Sequence, residues 1–373
     1  MELKNYPHRS HVKRVLEKFI PPKDSLEVFK ENGILINAFT KKDIGKLGAD
    51  FYFSREQFLK LKHKIESKNN YKKSSRINIP STQVTDLKEA LITIQEAPID
   101  DEDTCVKVFD KEDGTWTFEI HYTEYKPGMI DMLDKTARKV EVTVDNQKDV
   151  CNLDFDISTT RDHKKISEVL DYIHKSNIDI KFNFSEINLN ELEKEDRIKL
   201  FDKFFQHNHG TWRLEKIVKL KVKRYNSDTT VSSDNLKGIN SAILGGQNLI
   251  DNVFVKSTIE DGFYFSMATM RFEHSICPEF IDLAIEFKTK PETCETKIVA
   301  SGVFEEEDNE IKEKKHVFDK STQNTILFDF KNTLYMIFNE LKKEEDSSKE
   351  TGENNKKVNI TVEDVEFESS NVS

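Results

Sequence analysis

Between Ile281 and Lys288 the chain alternates: Ile281, Leu283, Ile285 and Phe287 are interleaved with Asp282, Ala284, Glu286 and Lys288. A period of two sends successive side chains to opposite faces, so this stretch predicts a strand with one face buried. The wider segment from Val253 to Lys290 reads as strand, turn, strand, strand. Glu260-Asp261-Gly262 supplies the turn between VFVKSTI and FYFSMATMRF, because Asp-Gly tolerates the positive φ of a tight hairpin.

The same alternation recurs upstream. Trp116, Phe118, Ile120 and Tyr122 alternate with Thr115, Thr117, Glu119 and His121, and KVEVTV, NLDFDIS and DIKFNF repeat the pattern. Downstream, Val218, Leu220 and Val222 share one face while Lys219, Lys221 and Lys223 share the other. TKIVASGVF reads as another strand, followed by an acidic hairpin around residues 305–309.

Helical spacing marks other stretches. Val12, Val15, Leu16 and Phe19 fall on one helical face, which Pro21-Pro22 ends. Asp24 or Ser25 starts a second helix that stops at Asn32-Gly33, and Thr40 caps a third that stops at Gly48. Ser54 caps a fourth, with Glu56 or Gln57 as its capping-box partner and Phe58, Leu61 and Ile65 on its apolar side. Later helices are expected around Ile166, Val169, Leu170 and Ile173, from Asn190 to His207, from Asn235 to Leu244, and around Leu334, Ile337, Phe338 and Leu341.

These elements define an α+β protein. A small basic all-helical N-terminal domain (1–67, helix-turn-helix-like) is followed by a basic linker (68–80). Two mostly antiparallel β-rich α+β regions come next (81–187 and 188–341), and then a disordered acidic C-terminal tail (342–373). The tail assignment rests on KKEEDSSKETGENNKK, which holds no apolar residue. Beyond it Val358, Ile360 and Val362 alternate and Phe367 follows, a pattern suited to an extended docking peptide for a partner or a second copy.

Charge sharpens this division. Residues 1–80 hold 18 Lys and Arg against 9 Asp and Glu, a net +9, so the remaining 293 residues carry −20 of the chain's −11 total. A basic module on an acidic body attracts phosphates locally while the body resists non-specific nucleic-acid binding. The candidate nucleic-acid contacts are therefore Lys41, Lys42, Lys60, Lys62 and Lys64 on the helices, Lys72, Lys73 and Arg76 in the linker, and the strand row Lys219, Lys221 and Lys223. That row spans about 14 Å at the rise of a strand. It suits better still lysines that guard an exposed sheet edge.

Other chemistry is weakly signalled. Glu286-x-Lys288 on a strand, with Asp261 or Asp282, is the pattern of some metal-dependent nucleases, although charges on the wet face of a strand explain it as well. His207 with His209, His274 with Cys277, and Glu119 with His121 are spaced as pairs, too few for a metal centre. Phosphate-loop and dinucleotide motifs are absent, and Cys105, Cys151, Cys277 and Cys294 show no Cys-x-x-Cys spacing. No apolar run approaches a membrane span. The sequence thus predicts a cytoplasmic, non-enzymatic binding or assembly protein that uses nucleic acid as partner, needs no cofactor and does not engage a membrane. A protein-directed scaffold and a Glu-x-Lys nuclease are the alternatives.

Overall fold

The computed structural model describes residues 8–54, 56–57, 60–61, 71–95, 99, 104–111, 115–125, 135–176, 181–224, 239–246, 258–289, 292–307 and 310–363, the last of these as backbone only from 346 onward. It is a mixed α+β structure whose described ladders are antiparallel. The chain forms two compact units, one comprising residues 1–70 and 79–183, the other residues 71–78 and 184–373.

In the first unit, α1 (Arg9–Lys18), α2 (Pro22–Glu31) and α3 (Lys41–Gly48) enclose a small core of Val12, Val15, Leu16, Ile20, Val28, Phe29 and Ile44. The apolar positions legible in the sequence are the buried ones because each helix turns a single stripe inward. Of the three expected caps two form; Asp24 and Ser25 lie inside α2, which Pro21 and Pro22 open without a side-chain cap. Thr40 Oγ1 accepts from the amide of Asp43 at 3.1 Å. Ser54 and Gln57 make the reciprocal pair of a capping box, with Gln57 Oε1 accepting from Ser54 N at 2.7 Å and Ser54 Oγ from Gln57 N at 3.2 Å. Leu61 is buried, while Phe58 and Ile65 lie outside the described residues.

Two glycines set how closely α3 approaches its neighbours. A Cβ at Gly48 would sit 2.5 Å from Phe29 Cζ and 2.6 Å from Leu16 Cδ1, and one at Gly45 would collide with Glu17 Cγ. Phe29 and Leu16 are both buried to within 1% of full exclusion, so neither has room to yield. Gly48→Ala is therefore expected to destabilise the helical module by about 1–2 kcal/mol, overpacking outweighing alanine's better helix propensity. Denaturant unfolding measures this, and unchanged or increased stability would contradict the packing.

The rest of this unit carries four strands that neighbour one another in the order β2 (Cys105–Asp110), β3 (Trp116–Tyr125), β4 (Lys135–Asn146), β5 (Val150–Asp156), with α4 (Val84–Thr93) and α5 (Thr160–Ser176). Trp116, Phe118, Ile120 and Tyr122 are all buried, as their alternation predicts. Tyr122 Oη donates to Asp162 Oδ1 at 2.6 Å, and Asp162 also accepts from the amides of Ser158 and Thr159, fixing the start of α5.

In the second unit, β1 (Lys73–Pro80), β6 (Trp212–Arg224), β7 (Ser241–Gly245), β8 (Phe263–His274), β9 (Glu279–Thr289) and β10 (Glu292–Glu307) lie in the order β1-β10-β9-β8-β6-β7. β11 (Glu310–Lys315) pairs with the far half of β10. Two helices, α6 (Lys194–Gln206) and α7 (Lys320–Glu363), supply Phe201, Phe204, Phe330, Leu334 and Phe338 to the core that Ile281, Leu283, Ile285 and Phe287 form on β9. Phe330 stands 4.6 Å from Phe272 and 6.2 Å from Phe204, centroid to centroid, so the aromatic rings carry much of this interior.

Several expectations need correction. The hairpin expected about Glu260-Asp261-Gly262 is not one, since residues 258–260 are helical and β8, which follows the turn, pairs with β6 and β9. Residues 73–80 are not linker but β1. Their polar run K-S-S-R offers no alternation to read, yet Lys73 and Ser74 register with Lys297 and Thr296 of β10. The stretch ending at Gly245 is the strand β7, not the end of a helix, since it pairs with Leu220 and its neighbours on β6. Residues 181–184 form no strand, and only Ser185 bridges, to Asn78. A β-bulge between Ile217 and Lys219 places Ile217 in the core where regular alternation placed Val218. Beyond these, the backbone of α7 runs on through residues 342–363. Val358, Ile360 and Val362 lie on that helical backbone, not in an extended strand, and Phe367 lies outside the described residues. Lys and Glu are good helix formers, and an already packed helix needs no new nucleus to extend. No described helix is long and apolar enough to cross a membrane.

Candidate nucleic-acid interface

The expected basic residues separate into three groups. Lys41 and Lys42 open α3 directly after its Thr40 cap, and Lys46 follows one turn later, all exposed. Lys60 is also exposed, and Lys62 and Lys64 lie outside the described residues. Among the described residues, Lys41, Lys42, Lys46 and Lys60 form no ion pair. On α1, Arg9 meets Asp50, and Lys13 lies 3.8 Å from Glu17, whereas Arg14 and Lys18 are exposed. The helical module therefore presents ammonium groups that its own carboxylates leave largely uncompensated.

The second group does not serve as a surface. Arg76 is 2% exposed, its guanidinium lying between the rings of Phe328 and Tyr335 at 5.5 and 5.2 Å and donating to Asn332 Oδ1 at 2.7 Å. Lys73 lies 3.3 Å from Glu295 Oε2, and Lys72 donates to Asn324 Oδ1. These three residues were expected on phosphates because they form a basic run. Instead, β1 inserts them against α7 and β10, where Lys331 donates to Ser74 Oγ at 2.8 Å and Tyr335 to the carbonyl of Arg76 at 2.7 Å. Buried polar groups persist when they are paired in this way.

The third group lies on β6, which is not an edge strand, because β7 flanks it on one side and β8 on the other. Edge protection is thus excluded as the reason for the row. Lys221 Nζ lies 3.5 Å from Glu286 Oε1, and Lys223 Nζ is 3.5 Å from Thr289 Oγ1. Burial lowers the pKa of Lys223, the charge of Lys221 lowers it further, and Glu286 opposes both. Lys219 alone of the three is exposed.

This same polar face answers the Glu-x-Lys pattern. Glu286 faces Lys221, Lys288 donates to Glu295 Oε1 at 2.6 Å, and Asp282 is held by the fork of Arg271. Each carboxylate has a cation, and they do not converge on one point. Among the described residues no three His, Cys, Asp or Glu side chains group as metal ligands. His209 is packed against Phe204, Phe272 and Phe330 with Nε2–H donating to the Phe204 carbonyl at 2.9 Å, and burial lowers its pKa. His274 Nδ1 accepts from the Cys277 amide at 2.9 Å, so this pair closes a turn. All four cysteines are free thiols.

Glu119 and His121 do meet, at 2.8 Å, and Lys139 approaches Glu119 at 2.6 Å. Burial pushes the Glu119 carboxyl upward, but the hydrogen bonds and charges of Lys139 and His121 outweigh it, and the net pKa is lowered. A carboxylate with a depressed folded pKa adds stability above its unfolded pKa, and that stability disappears as the pH falls through the folded value. Glu119→Gln should therefore cost about 0.5–1 kcal/mol at neutral pH, discounted for the exposure of Lys139, and nothing in strong acid. Urea melts at the two pH values check this, and an equal loss at both would show that charge is not the cause.

Sequence reasoning missed the exposed aromatic residues of the helical module. Phe51 and Phe53 both pack on Phe29, at 5.8 Å, but Tyr52 between them is exposed, as are Leu35 and Phe39. Of the three adjacent aromatics at 51–53, Phe53 is buried and Phe51 partly so. The chain matches no protein-family model and no curated protein.

Proposed function

We propose that this protein binds nucleic acid through its N-terminal helical module, with Lys41, Lys42 and Lys60 among the phosphate contacts and Lys46 added to them. The observation that supports this reading is the contrast in charge compensation. Lys72, Lys73, Lys221 and Lys223 lie against Asn324, Glu295, Glu286 and Thr289, whereas Lys41, Lys42 and Lys46 of α3 are exposed and make no ion pair among the described residues. Exposed cations of this kind release the counterions of a phosphate backbone when they bind it.

The test is a titration of the whole chain with duplex and single-stranded oligonucleotides across a salt series. The logarithm of affinity should fall linearly with the logarithm of salt, with a slope of about −0.9 per neutralised phosphate on duplex and about −0.7 on single strands. A Lys41→Glu, Lys42→Glu, Lys46→Glu variant should flatten that slope and weaken binding at least tenfold at low salt. Failure of the unmodified protein to bind either probe at low salt would end this reading.

A further inference from the structure

We propose that the open edge of β7 docks an extended acidic peptide of a partner protein, one whose alternate residues run acidic, apolar, acidic along the face that carries the β6 lysines. This inference does not depend on the nucleic-acid reading above.

β7 ends the strand order, and among the described residues it pairs with β6 alone. The ladder determines which of its backbone groups are left over. Arg224 N donates to the Asn240 carbonyl at 2.9 Å and Gly246 N to the Val218 carbonyl at 3.4 Å, and both pairs continue the β6–β7 register. Hydrogen-bonded and non-bonded pairs alternate in an antiparallel ladder, so Ala242 and Leu244 bond to β6 while the amides and carbonyls of Ser241, Ile243 and Gly245 point outward. An added strand would take those groups. No charge or proline in Ser-Ala-Ile-Leu-Gly guards this edge.

The same three residues are exposed and share a face with the lysine row, since Gly245 registers with Lys219, Ile243 with Lys221 and Ser241 with Lys223. Gly245 has no side chain and Ser241 a short one, which leaves Lys219 and Lys223 a path across β7 at its two ends. Ile243, 62% exposed, blocks the middle, where Lys221 is already engaged by Glu286. A strand laid beside β7 lies about 10 Å from β6, a gap that a lysine and a glutamate close from opposite sides. Its residues opposite Gly245 and Ser241 would then be acidic, and the one opposite Ile243 apolar.

The lysines are available for this. Lys219 makes no ion pair among the described residues, and Lys223 meets the Thr289 hydroxyl at 3.5 Å. Burial and the neighbouring Lys221 disfavour the charge of Lys223, with Glu286 opposing them, so an arriving carboxylate would stabilise it. A second copy fits this edge less well. Antiparallel self-pairing about Ile243 would set Gly245 opposite Ser241 and turn each Lys219 toward the Lys223 of the other chain, like charge toward like.

The experiment titrates the full chain with a fluorescent, end-blocked peptide bearing Glu-Thr-Val-Thr-Glu, and with a second in which lysines replace both glutamates. The acidic peptide should bind and the basic one should be at least tenfold weaker. Lys219→Glu, at an exposed position, should weaken the acidic peptide about five- to tenfold. Ile243→Pro removes an amide that points away from β6, so it should keep the melting temperature and abolish binding. Methylating the amide of the peptide's central valine should abolish binding as well, and it decides alone if the proline variant melts early. Failure of the acidic peptide to bind overturns the proposal, as does binding that survives the methylated amide, which would be ion pairing without a strand. Oligothymidine binding lost in Lys219→Glu but kept in Ile243→Pro would overturn it in favour of phosphates. Self-association seen in sedimentation and lost in Ile243→Pro would overturn it in favour of a second copy.

Discussion

Arg76→Ala should lower the stability of the second unit by about 3–4 kcal/mol and leave nucleic-acid affinity of the folded protein unchanged. The side chain is 2% exposed and fills the space between Phe328 and Tyr335, so truncation removes two desolvated cation–π contacts and opens a cavity. It also strands Asn332 Oδ1, which loses its 2.7 Å donor inside the protein. Lysine should not rescue the loss, since an ammonium cannot lie flat between two rings as a guanidinium does. Chemical denaturation alongside the salt titration decides the matter. A stable variant with weakened oligonucleotide binding would return Arg76 to the surface role its sequence context suggests.

Arg271→Ala should be of similar or greater severity, about 3–5 kcal/mol. Arg271 donates to both oxygens of Asp282, at 2.5 and 3.2 Å, and to Glu313 at 2.7 Å, while its guanidinium lies 4.1 Å from the centroid of Phe280. One side chain thus ties β8 to β9 and β11. Burial disfavours its charge, but the hydrogen bonds and charges of the two carboxylates prevail and its pKa is raised, so it stays charged at every pH at which the protein folds. Most of the expected loss comes from leaving Asp282, a partly buried carboxylate, without its cation. Arg271→Met combined with Asp282→Leu should therefore recover most of the stability lost in the single variant. A double variant as unstable as Arg271→Ala would assign the loss to the Phe280 contact instead.

What the sequence made legible was local. Ile281 to Phe287 read correctly because one buried face imposes period two, and the Ser54–Gln57 box read correctly because a cap is a four-residue event. What stayed hidden depends on partners distant in the chain. Arg76 is buried by Asn332 and Tyr335, more than 250 residues later, and nothing near K-S-S-R signals a strand. Strand order decides that β6 is interior, and alternation carries no information about order. The same holds for the candidate site. Lys41 and Lys42 were found by charge alone, but which of Phe51, Tyr52 and Phe53 pack inward could not be told until Phe29 was seen to take Phe51 and Phe53.

The pairing of β1 with β10 also fixes a timetable. Lys73 waits for Lys297, so during synthesis the strand from the early part of the chain must remain without its partner for more than 220 residues. Residues 79–183 are complete as a stretch of chain long before that partner exists. Contacts so distant are slow to form, because the entropy of closing the loop must be met before the pairing contributes anything. The first unit can be folded while the second is still an open sheet awaiting an edge. On the ribosome, completion of the β1–β10 ladder should be among the last events, arriving with β10 and the helix that follows it.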